Sequence, residues 1–281
     1  GENGAGKSTL MSVLFGLNVN YGGQILIDDT HKKWATPSDA IKAGIGMVHQ
    51  HFMLIESMTV LENIILGSEP NKYLGFLDFE FAEEKLSNLL KTYNFSINLN
   101  QTVNELSVGQ RQMVEILKTL YRSAELIILD EPTAVLTPAE RLDLFTSLKD
   151  FKNAGKSIIL ITHKIDEVIA NADHVSVMRA GKLISSLPID STSQAKISDE
   201  IVGLSKTKSI SRNKNKAGSV KLHLSNLDIF GMPQVGNAYN LEVKANEIVG
   251  IAGVAGNGQS ELVEAIIGLR SSKSGSIEIC S

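Results

Sequence analysis

The sequence has 281 residues, 43% of them hydrophobic, with 27 Lys and Arg against 31 Asp and Glu for a formal net charge of −4. That is enough apolar material for a sizeable globular core, and the charge balance excludes the global basic field on which nucleic-acid binding draws. A single cysteine, Cys280, excludes an intrachain disulfide, and the longest apolar runs, Leu126 to Leu129 and Ile158 to Ile161, fall far short of the roughly 20 residues that cross a bilayer.

The chain opens on a phosphate-loop pattern. Gly1, Gly6, Lys7 and Ser8 fit G-x-x-x-x-G-K-[ST], with Glu2, Asn3, Gly4 and Ala5 between the glycines and Thr9 following. In this pattern glycine allows close backbone approach, and successive N–H groups cradle phosphates at a helix N-terminus. Lys7 is expected to contact the β- and γ-phosphates of ATP, and the Ser8 hydroxyl to ligate Mg²⁺. Leu10, Val13, Leu14 and Leu17 are expected to pack the following helix on a sheet. Because the chain begins inside this loop without an initiator Met, it reads as a piece of a longer protein.

Further along, Gln50 sits in VHQHFML; a lone Gln after an apolar strand is usually a turn residue. The region Met58 to Phe81, apolar at Ile64, Ile65, Leu66, Leu74, Phe76 and Leu77, suits either a helical core or a docking surface. Leu106-Ser107-Val108-Gly109-Gln110 then opens a helix with apolar positions Met113, Ile116, Leu117 and Leu120. Ser107 and Gln110 fit a capping box, so the segment is a plain N-cap or, equally, an anion site in which Ser107, Gly109 and the helix N–H groups receive the γ-phosphate of a nucleotide on a partner domain.

Helical patterns around 80 to 92, 108 to 122 and 138 to 154 alternate with short β-branched runs at Leu126 to Leu129, Ser157 to Thr162 and Val175 to Met178, which argues for a mainly parallel α/β sheet. The run Leu126-Ile-Ile-Leu-Asp130-Glu131-Pro132 is a buried strand ending in two carboxylates, where such a sheet presents its ligands. With a phosphate loop present, Asp130 is expected to hold the magnesium shell, and Glu131 to orient or deprotonate the attacking water. His163 follows the next strand; taken bare it is more often a strand-end hydrogen-bonding group.

Ser205 to Ser219 holds five basic residues and no acid and reads as a solvated linker, with a basic docking tail as the alternative. Beyond it the start of the chain recurs: residues 1 to 27 lie over 253 to 279 without gaps, glycines matching at 1/253, 4/256, 6/258, 16/268 and 23/275. Strand-like segments at Val220 to Leu227 and Glu247 to Ala252 precede the second loop, so roughly 30 residues are expected to precede Gly1 in the first copy. The organisation expected is a first domain over 1–204, a linker over 205–219 and the start of a second domain over 220–281.

GENGAGKST, Gln50 in VHQHFML, LSVGQ, LIILDEP and His163 in LITHK occur in the order found in ABC transporter ATPases, and the chain resembles that family throughout. The resemblance implies an α/β P-loop NTPase with a RecA-like core and helical subdomain, followed by the start of a second copy. It further implies two such domains in one parent chain clamping two ATP molecules head to tail. Gln50 would touch Mg²⁺ or the attacking water, and His163 the γ-phosphate. Motion would pass to membrane-spanning permease subunits, indirectly served by a solute-binding protein, at the cytoplasmic face of the plasma membrane; nucleic acid is not an expected partner. GMVHQHFMLIESMTVLENI, DEPTAVLTPAE and the copy with GVAGNGQSEL are similar to the fused ATPase subunits of bacterial importers for simple sugars and nucleosides.

Two departures qualify the resemblance. The second loop has Gln259 where the first has Lys7, which removes a cation from the phosphate cradle. Ala134-Val135-Leu136-Thr137 stands where many relatives carry Ser-Ala-Leu-Asp, which puts that aspartate's cross-domain contact in doubt. The alternatives are a soluble ABC ATPase that remodels ribosomes or DNA, for which a long charged helical linker and two intact loops are expected, and a piece that binds ATP without turnover.

Overall fold

A computed structural model describes residues 1, 4–72, 76–93, 95–203, 217–230, 238–253 and 257–279. The chain divides into two compact units, Gly1–Lys206 and Thr207–Ser281. Most of the basic segment, together with Glu2, Asn3, Leu74 and the middle of the second loop, lies outside the described residues.

The first unit runs α1 (Lys7–Leu14), β1 (Ile25–Ile27), β2 (Thr30–Lys32), α2 (Pro37–Lys42), β3 (Ile45–Val48), α3 (Val60–Ile65), α4 (Phe79–Thr92), α5 (Val108–Tyr121), β4 (Leu126–Asp130), α6 (Pro138–Asn153), β5 (Ser157–Ile161), α7 (Ile165–Asn171), β6 (His174–Arg179), β7 (Lys182–Pro188) and α8 (Gln194–Val202). Its centre is a three-stranded parallel sheet, β3-β4-β5, with Val48 opposite Leu129 and Asp130 opposite Ile161. The pleat sends alternate residues of β4 to opposite faces. Ile127 and Leu129 join Ile116, Leu144, Leu148 and Phe151 in one layer, and Ile128 joins Phe15, Trp34, Ile45 and Ile161 in the other. Burial on both faces explains why the strand reads as an unbroken apolar run. The sheet is parallel only here; β1-β2 and β6-β7 are antiparallel hairpins.

A third core holds the helical layer: Val60, Ile64 and Ile65 of α3, Leu86 of α4, and Val114, Leu117 and Tyr121 of α5. Helix α5 therefore belongs to two cores, turning Ile116 and Leu120 to the sheet and Val114 and Leu117 to the helices. Ile64 and Ile65 are core residues, whereas Leu66, Phe76 and Leu77 are exposed, as are Met53 and Ile55 beside them in sequence.

Two expectations need correcting. In α1 the packed residues are Met11 and Leu14, with Phe15 at the C-cap, while Leu10 and Leu17 are about half exposed. Phe15 packs edge-on against His49 and lies in one core with Trp34, whose indole N–H donates to the Leu14 carbonyl, and these contacts set which face of the helix turns inward. In the second unit, β8 (Val220–Ile229), β9 (Tyr239–Lys244), α9 (Gln259–Ile266) and β10 (Ser272–Ile279) form an antiparallel sheet in the order β10-β8-β9 with α9 against it. Residues 247 to 252 are not a strand: Ile248 is 99% exposed, and without a neighbouring strand an apolar run has no ladder to join. The repeat is nonetheless structural. Helices α1 and α9 begin and end at the same offset, each after a glycine held in the left-handed region, Gly6 at φ 92° and Gly258 at φ 97°.

Phe151 is fully buried and meets the Tyr93 ring edge-on at 4.8 Å. Replacing Phe151 with Ala is expected to lower stability by about 3–5 kcal/mol in urea unfolding. Leu142→Ala, on the exposed face of the same helix, should stay within about 0.5 kcal/mol.

Candidate functional site

The strand register gathers the site. Val48 and Leu129 are paired, as are Asp130 and Ile161, so Gln50, Asp130, Glu131 and His163 all follow the carboxyl ends of three adjacent parallel strands. That edge is where an open α/β sheet places its ligands.

At the loop, the Lys7 ammonium donates to the Gly1 carbonyl at 2.8 Å, folding the side chain back over the cradle. A Cβ at Gly1 would come within 2.1 Å of the Met178 carbonyl, and the Gly181 N–H donates to the Ala5 carbonyl at 3.1 Å. The loop thus leans on the β6–β7 hairpin, whose two-residue turn, Ala180-Gly181, has positive φ at both positions, the type I′ arrangement. Gly4, Ser8 and Thr9 are exposed and Ala5 is buried. Gly1 and Lys7 line one cavity of ≈ 780 Å³ with His163 and Lys164, bordered by β5 and β6.

Glu131 leaves the strand with φ 48°, a left-handed conformation that costs a non-glycine residue roughly 1–3 kcal/mol. Its N–H extends the ladder to the Ile161 carbonyl at 2.9 Å while its side chain swings to His163, Nδ1 to Oε1 3.0 Å. Nδ1 is engaged in this contact, so Nε2 is the ring nitrogen left for another partner. Asp130 points elsewhere and is 6% exposed, and its Oδ1 has no hydrogen-bond partner among the described residues. A buried carboxylate oxygen without a partner is costly unless a cation or water completes it. Among the described residues no group of three or more His, Cys, Asp or Glu could hold a metal alone. The unpartnered Asp130 oxygen fits a magnesium ion that arrives with phosphates, since Mg²⁺ takes one or two carboxylates and completes its shell from phosphate and water.

Ser107 is the N-cap of α5 and makes the reciprocal capping box with Gln110. Its hydroxyl and the Gly109 N–H are directed to Glu140 on α6 and not to the phosphate loop.

Several side chains that sequence reasoning missed hold this edge together. Glu167, buried in the first turn of α7, accepts from the Thr133 hydroxyl at 2.8 Å and the Thr162 hydroxyl at 3.3 Å, and lies 3.3 Å from the Lys164 ammonium. Lys164 in turn donates to the Thr133 carbonyl at 3.0 Å. This network ties the chain after Glu131 to the chain around His163. Asn63, fully buried, exchanges hydrogen bonds with the Ile55 backbone, and Glu115 of α5 accepts from the Met53 N–H, which pins the segment after Gln50. In sequence, Glu167 has the ordinary look of an acid in a helix's first turn; only the fold shows it buried.

The loop, the paired carboxylates at the end of a buried parallel strand and the flanking helical layer define a P-loop NTPase of the ATP-binding cassette type. Residues 1–134 match the ABC transporter family model, and that part of the chain belongs to the family. It is 45% identical, over 99% of its length, to a nucleoside import ATP-binding protein of Lactococcus lactis and, equally, to a guanosine import ATP-binding protein of Bacillus subtilis. It covers 55% of each, so the chain spans about half the length of the curated relatives it matches. Among solved structures, it is similar to an ATP-binding cassette in its ADP conformation, with TM-score 0.59 and 28% identity over 70% of this chain and 80% of that one. A Clostridium perfringens subunit, part of an ABC transporter complex, gives TM-score 0.58 at 29% identity over 68% and 76%.

Glu167→Ala is expected to cost about 2–3 kcal/mol in urea unfolding, because it strips the Thr133 and Thr162 hydroxyls of an acceptor and Lys164 of its counter-charge. Glu167→Gln, which keeps an acceptor oxygen, should recover part of that loss.

Proposed function

We propose that this chain is part of the ATP-binding and ATP-hydrolysing subunit of an ABC importer, coupling ATP hydrolysis to uptake of a solute of the simple-sugar or nucleoside class. The observation that carries the reading is the meeting of a phosphate loop with a His–Glu pair: Lys7 and His163 line one cavity, and His163 is hydrogen-bonded to Glu131. The names of the relatives, nucleoside, guanosine and, at 41% identity, glucose import proteins, support the solute class.

In this reading the backbone of Gly1 to Gly6 cradles the phosphates, and Lys7 turns from the Gly1 carbonyl to the β- and γ-phosphates. Ser8, Gln50 and Asp130 hold Mg²⁺, which neutralises phosphate charge when bound. Glu131 accepts a proton from the water that attacks the γ-phosphorus in line as the bond to the β-phosphate oxygen breaks, giving ADP and phosphate. His163 holds the Glu131 carboxylate in position and directs Nε2 to the γ-phosphate. Ser107, Gly109 and Gln110, at the N-terminus of α5, receive the γ-phosphate of a nucleotide held by a second cassette of the same parent chain.

The exposed apolar side chains Met53, Ile55, Phe76 and Leu77 support docking on permease loops over the ribosome- or DNA-remodelling alternative. Among the described residues no helix is long and apolar enough to cross a membrane; in this reading the permease partner provides attachment at the cytoplasmic face.

Two variants of the full-length protein test this. Glu131→Gln should keep MgATP-induced thermal stabilisation and lose hydrolysis, and Lys7→Ala should lose the stabilisation, about 2.7 kcal/mol for ligand at 100 times its dissociation constant. Near-normal turnover in Glu131→Gln would overturn the assignment of the base.

A further inference from the structure

The N-terminus of α5 is filled by a side chain from another helix. Glu140, in the first turn of α6, divides its carboxylate between two helices. Oε2 accepts from the Thr137 N–H at 3.0 Å and the Thr137 hydroxyl at 2.9 Å, completing the capping box of α6. Oε1 accepts from the Gly109 N–H at 2.9 Å and the Ser107 hydroxyl at 3.1 Å. One anion thus lies at the positive ends of two helices. These hydrogen bonds, from the Thr137 N–H first and then from the Thr137 hydroxyl, the Gly109 N–H and the Ser107 hydroxyl, hold the carboxyl below its usual range, so it is ionised at neutral pH.

Capping α6 needs only Oε2. The second oxygen reaches across 31 residues to α5, and the approach is close: a Cβ added at Gly109 would come within 2.6 to 2.7 Å of Oε1, Cδ and Cγ of Glu140. Gly109 is not among the residues of positive φ, so the glycine serves proximity here and not backbone conformation.

The donors taken by Oε1 are those that the proposed function assigns to a γ-phosphate oxygen, and the inference rests on that reading. Two anions cannot share the Ser107 hydroxyl and the Gly109 N–H, and their charges repel. We propose that Glu140 is an internal stand-in for the γ-phosphate, a positioning residue that keeps the α5 N-terminus filled until the nucleotide of the partner cassette displaces it. Displacement frees α6 from α5. The segment Glu131 to Leu136 leads directly into Thr137, so engagement of one nucleotide is passed along the chain to the base of the other site.

The test uses the full-length protein carrying Glu131→Gln, with occluded ATP measured against MgATP concentration. Adding Glu140→Gln removes the charge; adding Glu140→Asp keeps it but leaves the carboxylate too short to span both helices. Each should lower the half-saturating MgATP, roughly tenfold for the loss of one charge-assisted hydrogen bond. The direction is diagnostic, since a residue that merely supports the fold would weaken occlusion when replaced. Thermal melts without nucleotide establish that each variant is folded, and Glu140→Asp carries the test if Glu140→Gln is not. Unchanged or higher half-saturation with occlusion intact overturns the role of Glu140. Absence of occlusion in the Glu131→Gln protein itself overturns the two-cassette reading beneath it as well.

Discussion

Strand β4 and its register with β3 and β5 are the constraint on which the rest of the first unit depends. Because Ile127 and Leu129 fill one layer and Ile128 the other, a slip of one residue would exchange every side chain between faces and carry Asp130 out of place. Each fully buried Leu or Ile contributes about 1.5–3 kcal/mol, so the register is held by several such side chains at once. The strained φ of Glu131 is tolerated for the same reason: the strand before it cannot move, its N–H is tied to Ile161, and its carboxylate is tied to His163.

Helix α5 extends that constraint to the helical layer. It shares residues with both cores, it holds the segment after Gln50 through Glu115, and its N-terminus meets α6 through Glu140. A helix that shares residues with two close-packed cores is held from both sides. The helix that presents Ser107 and Gly109 at its start thus also carries Glu115, which holds the segment of Met53 and Ile55.

What was legible in the sequence was local. The apolar run of β4 and the 3.6-residue periodicity of α5 and α6 announce elements that their own residues specify, and the box of Ser107 with Gln110 is a contact between near neighbours. What was not legible was non-local. The apolar run after Glu247 has the composition of a strand but lacks a ladder beside it, and composition cannot supply one. Leu10 looked like a packing residue because a stripe can be drawn through it, yet Phe15 and Trp34 decide which face of α1 turns inward. Glu140 and Glu167 both resemble ordinary first-turn acids. Their partners lie 31 and 34 residues away, and no periodicity reports a bond of that span.

The repeat sets one helix entry beside two different sets of side chains. Gly6 and Gly258 take the same left-handed conformation, and α1 and α9 begin at the same offset, so the entry into the helix is the same in both copies. The charges differ. Gln259 stands at the place of Lys7, and Glu261, an acid in the first turn of α9, stands at the place of Thr9. Val254 at the place of Glu2 removes a negative charge, whereas the first exchange removes one positive charge and the second adds one negative charge, so the second loop sequence is one charge less favourable to phosphate. An acid at that position also offsets the helix dipole that would attract an anion. What repeats is the helix and the left-handed glycine before it; the side chains around that entry, and their charges, do not.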